Sequence, residues 1–246
     1  MHRLLTLSGV ATAALLALVL PHARGAEARV AIDPALAAAT EPLSVQGANP
    51  RRWDKPVAFG PYRTGVVRDR GTIGWSVQVL RLGASGSKRP YAFTLEAPTG
   101  TVDAECHEKG LEAWHEPSGV SVDLRAAAGK PALVCAFRPT GEGGGTGTWV
   151  LELAAARKIT GGFVGALRPT DPSAGGSLTV RSLHGLEGTP IPLGSPAGYV
   201  LERDGRPVAA VEAINAGRVW VPSAAEADPG AIPAALAALL LFQPPE

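Results

Sequence analysis

The chain has 246 residues, of which 46% are hydrophobic and 18% charged, with 23 Lys and Arg against 22 Asp and Glu. That composition supplies enough apolar material for a core and excludes wholesale disorder. A formal net charge of +1 removes any global pull toward nucleic acid, so no nucleic-acid partner is expected.

Residues 1–28 read as a signal peptide. His2 and Arg3 form a short basic start, Leu4 to Leu20 is an uncharged run, and Pro21 breaks it. Ala23-Arg24-Gly25 and Ala26-Glu27-Ala28 place small residues at the −3 and −1 positions, so cleavage is expected after Gly25 or Ala28. The expected address is periplasmic or extracellular, with an uncleaved N-terminal membrane anchor as the alternative. Loss of residues 1–25 removes Arg3 and Arg24 and leaves 21 basic against 22 acidic residues. No Cys that could accept a lipid follows the apolar run, because the first cysteine is Cys106.

Residues 29–52 form an Ala- and Pro-rich lead-in with little periodicity, which reads as mobile chain or an irregular edge. Arg51, Arg52, Arg63, Arg68 and Arg70 crowd its end and the segment beyond. They are the first place to seek an anionic headgroup site, although such a run also suits a solvated face.

From Trp53 to the end we read one mostly β domain, residues 53–246. Ile73, Trp75, Val77 and Val79 alternate with smaller or polar residues. The same period of two returns at Tyr91-Phe93-Leu95, Val102-Ala104-Cys106, Val120-Val122-Leu124, Leu133-Cys135-Phe137 and Trp149-Leu151-Leu153. Alternation puts one set on a buried face and the other in solvent, as in half-buried antiparallel strands. Roughly eleven or twelve such strands are spaced as in a barrel or sandwich.

Cys106 and Cys135 are the only cysteines, and both sit on the apolar phase of their strands. In an oxidising compartment that phase match predicts a structural disulfide, with buried free thiols as the alternative. Glu105, Cys106, His107, Glu108, Glu112, His115 and Glu116 are the densest set of metal-ligand types. No zinc spacing links them, and no metal or other cofactor is expected. The stretch from Gly141 to Thr148 lacks the Lys-Ser/Thr ending of a phosphate loop and reads as a hairpin connection. Ser85 lies in GASGS, which is not the G-x-S-x-G elbow, and His184 reads as a polar residue at a strand end. No catalytic residue is assigned.

Asp204-Gly205 separates Tyr199–Arg203 from the run after Arg206, the chemistry of a two-residue hairpin turn. Pro207 suggests that the second strand starts at an edge. From Ala231 to Phe242, twelve residues pass without a hydrogen-bonding side chain. Ala and Leu favour helix, Asp228-Pro229 offers a capped start, and Pro233 must fall near the first turn. At about 18 Å this helix is too short to cross a bilayer, and with no polar face it must be buried all round. A closed barrel of about twelve strands wrapped around the helix satisfies both demands; the alternative is a β-sandwich with a docked tail helix.

The hairpin GYVLERDGRPVAAVEAINAGRVWV and the terminal run AIPAALAALLLF resemble the end of the tubby-like superfamily, which includes the tubby C-terminal domain, LURP-one-related proteins and phospholipid scramblases. The resemblance spans Tyr199 to Phe242 and implies a twelve-stranded barrel threaded by a hydrophobic C-terminal helix. Members bind phosphoinositide or act at membranes, so it also implies an anionic lipid surface as a partner. The basic phosphoinositide motif of those members has no match in this chain. The function expected is that of an exported, non-enzymatic binding or structural module, with an unidentified protein or envelope partner. The alternatives are a lipid or membrane-surface binder and, third, a hydrolase without a recognisable motif.

Overall fold

Inward-facing side chains alternate with outward-facing ones along every long strand, and the strands close on themselves. The computed structural model describes residues 27–47, 55–69, 82–83, 89–108, 114–115, 128–140, 147–156, 162–222 and 230–243. In chain order the elements are helix α1 (Pro34–Ala39), β1 (Leu43–Gln46), β2 (Ala58–Phe59), β3 (Tyr62–Thr64) and β4 (Arg68–Asp69). Then come β5 (Leu82–Gly83), β6 (Arg89–Ala97), β7 (Gly100–Glu108), β8 (Trp114–His115), β9 (Ala128–Thr140) and β10 (Trp149–Ala156). The last are β11 (Phe163–Pro169), β12 (Leu178–Leu183), β13 (Gly198–Arg203), β14 (Arg206–Glu212), β15 (Arg218–Trp220) and helix α2 (Ala231–Leu241).

Strands β6, β7 and β9 to β15 pair antiparallel in a run, β15 pairs β1, and β1 leads through β2 to β3. Pairing of Arg63 with Glu96 and of Thr64 with Leu95 then joins β3 to β6 and closes a ring of twelve strands. Strand β4 pairs β6 just beyond β3, at Arg68 with Ala92, and so extends that stave. Strands β5 and β8 form a separate two-stranded ribbon. The closed-barrel expectation holds, and the sandwich alternative does not. The readings at Trp53, Ile73–Val79, Ser85, Val120–Leu124 and residues 141–146 fall outside the described residues, as do residues 1–26.

Among the described residues the interior is mostly apolar. Tyr91, Phe93, Leu95, Val102, Ala104, Leu133, Phe137, Trp149, Leu151 and Leu153 all face it, as their alternation required. Helix α2 runs through it, and every residue from Ala231 to Leu241 is buried. A helix needs no polar face when wall side chains surround it on all sides, which is why the sequence could leave it uniformly apolar. It begins at Ala231 with Gly230 at the N-cap position in a left-handed conformation and without a side-chain cap. The start therefore lies beyond Asp228, which is outside the described residues. Pro233 occupies the first turn, where its missing N–H costs nothing.

The outer face carries the charges. Thr94 donates to Asp103 at 2.6 Å, and the pairs Arg138–Glu105, Arg168–Glu152 and Arg181–Glu202 lie at 2.7, 2.9 and 2.8 Å on neighbouring strands. Such pairs, exposed or half-buried at the surface, add about 0–1 kcal/mol each. Their position is more informative than their energy, because a barrel that spans a bilayer is apolar outside and polar within.

The Ala- and Pro-rich lead-in is partly built into the barrel. Asp33 Oδ1 accepts from the Ala35 and Leu36 amides at 2.9 and 3.4 Å and starts α1. Leu36 then covers Val200, Ala210 and Trp220 on the outer wall, a second small core. Upstream, the Val30 amide donates to Glu212 Oε2 at 3.0 Å, and Arg218 meets the same oxygen at 2.6 Å while lying over the Trp220 ring. Strand β1 is itself a stave of the ring.

Asp204 and Gly205, both at positive φ, turn β13 into β14 with Arg203 opposite Arg206. Strand β14 has neighbours on both sides and is not an edge. Its pairing with β15 begins only at Ala210, however, and Pro207 sits beside a register shift in the β13 ladder. Pro207 therefore displaces no hydrogen bond to β15.

Candidate functional site

Because α2 fills the barrel, polar groups gather at its two ends. At the end reached by the start of α2, a cavity of about 370 Å³ is lined by Arg203, Asp204, Arg206, Val208, Pro222 and Ile232. The hairpin turn supplies the three charged residues. Arg203 and Arg206 are direct cross-strand partners, a like-charge arrangement that costs rather than gains energy in a sheet. Pro222 and Ile232 are buried and give the cavity an apolar floor. The lining thus combines two arginines and one aspartate with apolar residues. Sequence reasoning looked for basic residues earlier in the chain and passed over these; the signal available was R-D-G-R, two arginines bracketing a two-residue turn. Of the earlier set, Arg63 and Arg68 are exposed on β3 and β4, outside this cavity, and Arg51, Arg52 and Arg70 lie outside the described residues.

The other end holds buried polar groups around the last turn of α2. Glu108 continues the inward phase of Val102, Ala104 and Cys106, is 3% exposed, and accepts from the Gln243 amide at 3.1 Å. The Tyr91 hydroxyl donates to the Ala238 carbonyl at 3.2 Å. Burial holds the Tyr91 phenol well above its ordinary range, helped by the Glu108 carboxylate and then by Tyr199. The Tyr199 phenol is pushed up in the same way, by burial first and Glu108 second. Phe242 packs edge-on against Phe163 and tilted against Tyr199, closing this end. The Tyr199 hydroxyl has no hydrogen-bond partner among the described residues. A buried hydroxyl in that state costs about 1–3 kcal/mol, so Tyr199→Phe is expected to be at least as stable as wild type. A gain of about 1 kcal/mol would raise the melting temperature by about 2–4 °C. A variant that melts lower by that amount would mean the hydroxyl has a partner after all.

Cys106 and Cys135 are directly opposed on β7 and β9 and form a disulfide, as their shared phase implied. Of the residues around Cys106, Glu105 and His107 face outward and Cys106 and Glu108 inward, and the bridge removes the thiolate. Burial lowers the His107 pKa, against a smaller raising effect of Glu105. The side chain of His115, together with Glu112 and Glu116, lies outside the described residues. Among the described residues no cluster of three or more potential ligands occurs.

His184 does stand beside a serine. Its Nδ1 lies 2.9 Å from the Leu193 carbonyl, which can only accept, so Nδ1 carries the proton. Nε2 then accepts from the Ser182 hydroxyl at 3.0 Å, and that hydroxyl oxygen in turn accepts from the Phe163 amide at 2.8 Å. The third member is a backbone carbonyl, and among the described residues no carboxylate completes a triad. Ser182 is tied into the end of the β11 ladder near Phe163, at the opposite end of α2 from the cavity. The pair fastens the connection after β12 to the wall. Compared with known proteins, the chain matches no family model, no curated protein and no solved structure.

Proposed function

We propose that this is an exported, non-enzymatic β domain that works as a binding or structural module through its outer surface and rims. One observation carries the reading: α2 runs through the barrel and is buried along its whole length, packed against the inward side chains of the described wall. Export is supported by the Leu4–Leu20 run and by a disulfide, a bond that persists in oxidising compartments. No described helix is long and apolar enough to cross a membrane. Membership of the tubby-like superfamily is part of the same proposal, supported by the twelve-membered ring and its threaded C-terminal helix.

The test is crosslinking and recovery of the tagged protein from its native envelope and culture fluid. A reproducible protein partner, lost when outer-face residues are substituted, is the expected result. Turnover of a substrate panel by the purified protein would overturn the non-enzymatic reading. The rim cavity favours a second reading, a surface that meets anionic lipid, because the exposed Arg206 lines it together with the apolar Val208, Pro222 and Ile232. Co-sedimentation with vesicles containing anionic lipid, weakened by salt and by Arg206→Glu, supports it; equal recovery with neutral vesicles rejects it.

A further inference from the structure

We infer that Cys106 and Cys135 must be joined before α2 enters the barrel, by a disulfide-bearing oxidant acting on the open chain, and that α2 afterwards seals the bridge against reductants. The two cysteines are 1% and 0% exposed, on the inner wall. Helix α2 packs against β7 and β9, the strands that carry them, and both cysteines belong to the same buried cluster as the helix. Outside them lies the hydrogen-bonded wall itself, where β7 and β9 are paired residue for residue from Thr101–Thr140 to Glu108–Leu133.

Thiol–disulfide exchange needs a third sulfur in contact with the one attacked. Among the described residues α2 on one side and the paired wall on the other leave the two cysteines 1% and 0% exposed, whereas β7 and β9 both precede α2 in the chain. Oxidation proceeds in two exchanges. A thiolate of one cysteine attacks the oxidant's disulfide to give a mixed disulfide, and the second cysteine displaces the oxidant. The protein loses two electrons and two protons, and the oxidant's disulfide leaves as two thiols. The same geometry runs backwards: a reductant must wait for α2 to leave.

Two measurements on the full mature chain test this. In the first, dithiothreitol reduction is followed by acid quench and maleimide labelling, on the native protein and in denaturant. Native reduction is expected to be slower by at least about a thousandfold, and Leu239→Ala to accelerate it by at least about tenfold by loosening the helix. A native rate within about tenfold of the denatured one, or no response to Leu239→Ala, would overturn the seal. In the second, the reduced chain refolds with oxidised glutathione present from the start or added after folding ends. A bridge that forms only in the first case supports the order, as does a reduced chain that never reaches the native near-UV signal. A bridge formed equally fast on late addition to a natively folded reduced chain overturns it.

Discussion

Leu239→Asp is expected to unfold the protein. Leu239 is fully buried on a helix that is buried on every side, so any residue there meets packed side chains and no water. An aspartate would have to be protonated or expel the helix, and an unpaired buried charge is not tolerated in so dry a site. Either outcome costs several kcal/mol against a total stability of about 5–15 kcal/mol, and most molecules should unfold or aggregate. Leu239→Ala keeps the site apolar and should lose about 2–5 kcal/mol through the cavity it leaves. Deleting residues 231–246 removes the helix and empties the barrel, so no cooperative transition should survive near the original temperature. Thermal melts of the three variants decide the matter. A deletion that melts like wild type would show that the wall stands without its helix.

Substitution of Gly165 should be nearly as damaging, for a reason outside the hydrophobic pattern. Gly165 lies on the inward phase of β11, opposite Leu153 of β10. A Cβ there would overlap the carbonyl oxygen of Glu152 and press on the Cα of Leu153, both backbone atoms of the adjacent strand. Strand β10 is hydrogen-bonded on both sides and its ladder with β9 is already irregular at Leu153 and Ala154, so it cannot move away cheaply. Gly165→Ala is expected to cost more than about 3 kcal/mol, and Gly165→Val more again. Gly176 is the control, since a Cβ there meets nothing within 4 Å; Gly176→Ala should stay within about 0.5 kcal/mol of wild type. Urea unfolding of the three variants measures the difference. If Gly165→Ala and Gly176→Ala unfold at the same midpoint, the two strands do not approach as described.

The buried glutamate shows where local patterns stop. Glu108 continues the alternation of Val102, Ala104 and Cys106 and so points inward, but a charged side chain at the end of an apolar strand looks like the place where the strand leaves the core. Only when α2 is threaded does that position face a helix end, where the Gln243 amide needs an acceptor. The rim cavity is of the same kind. Arg203 and Arg206 are visible as a pair about a turn, but Pro222 and Ile232 join them only once the ring has closed.

By itself the sequence determined the period-two strands at Tyr91–Leu95, Val102–Cys106, Leu133–Phe137 and Trp149–Leu153, the hairpin at Asp204-Gly205, the disulfide partners and the need for the terminal helix to be buried all round. Each of these rests on local chemistry: side-chain alternation, turn residues tolerant of positive φ, cysteines in one phase, and a stretch with nothing polar to hydrate. The tertiary structure decided how the ring closes at β3 and β6, that part of the lead-in serves as a stave and an outer cover, and which glycines lie against a neighbouring backbone. Those depend on which strand lies beside which across long separations in the chain. Pairings of two residues, such as those at β1, β2 and β3, are too short to announce themselves before the long strands have brought their ends together.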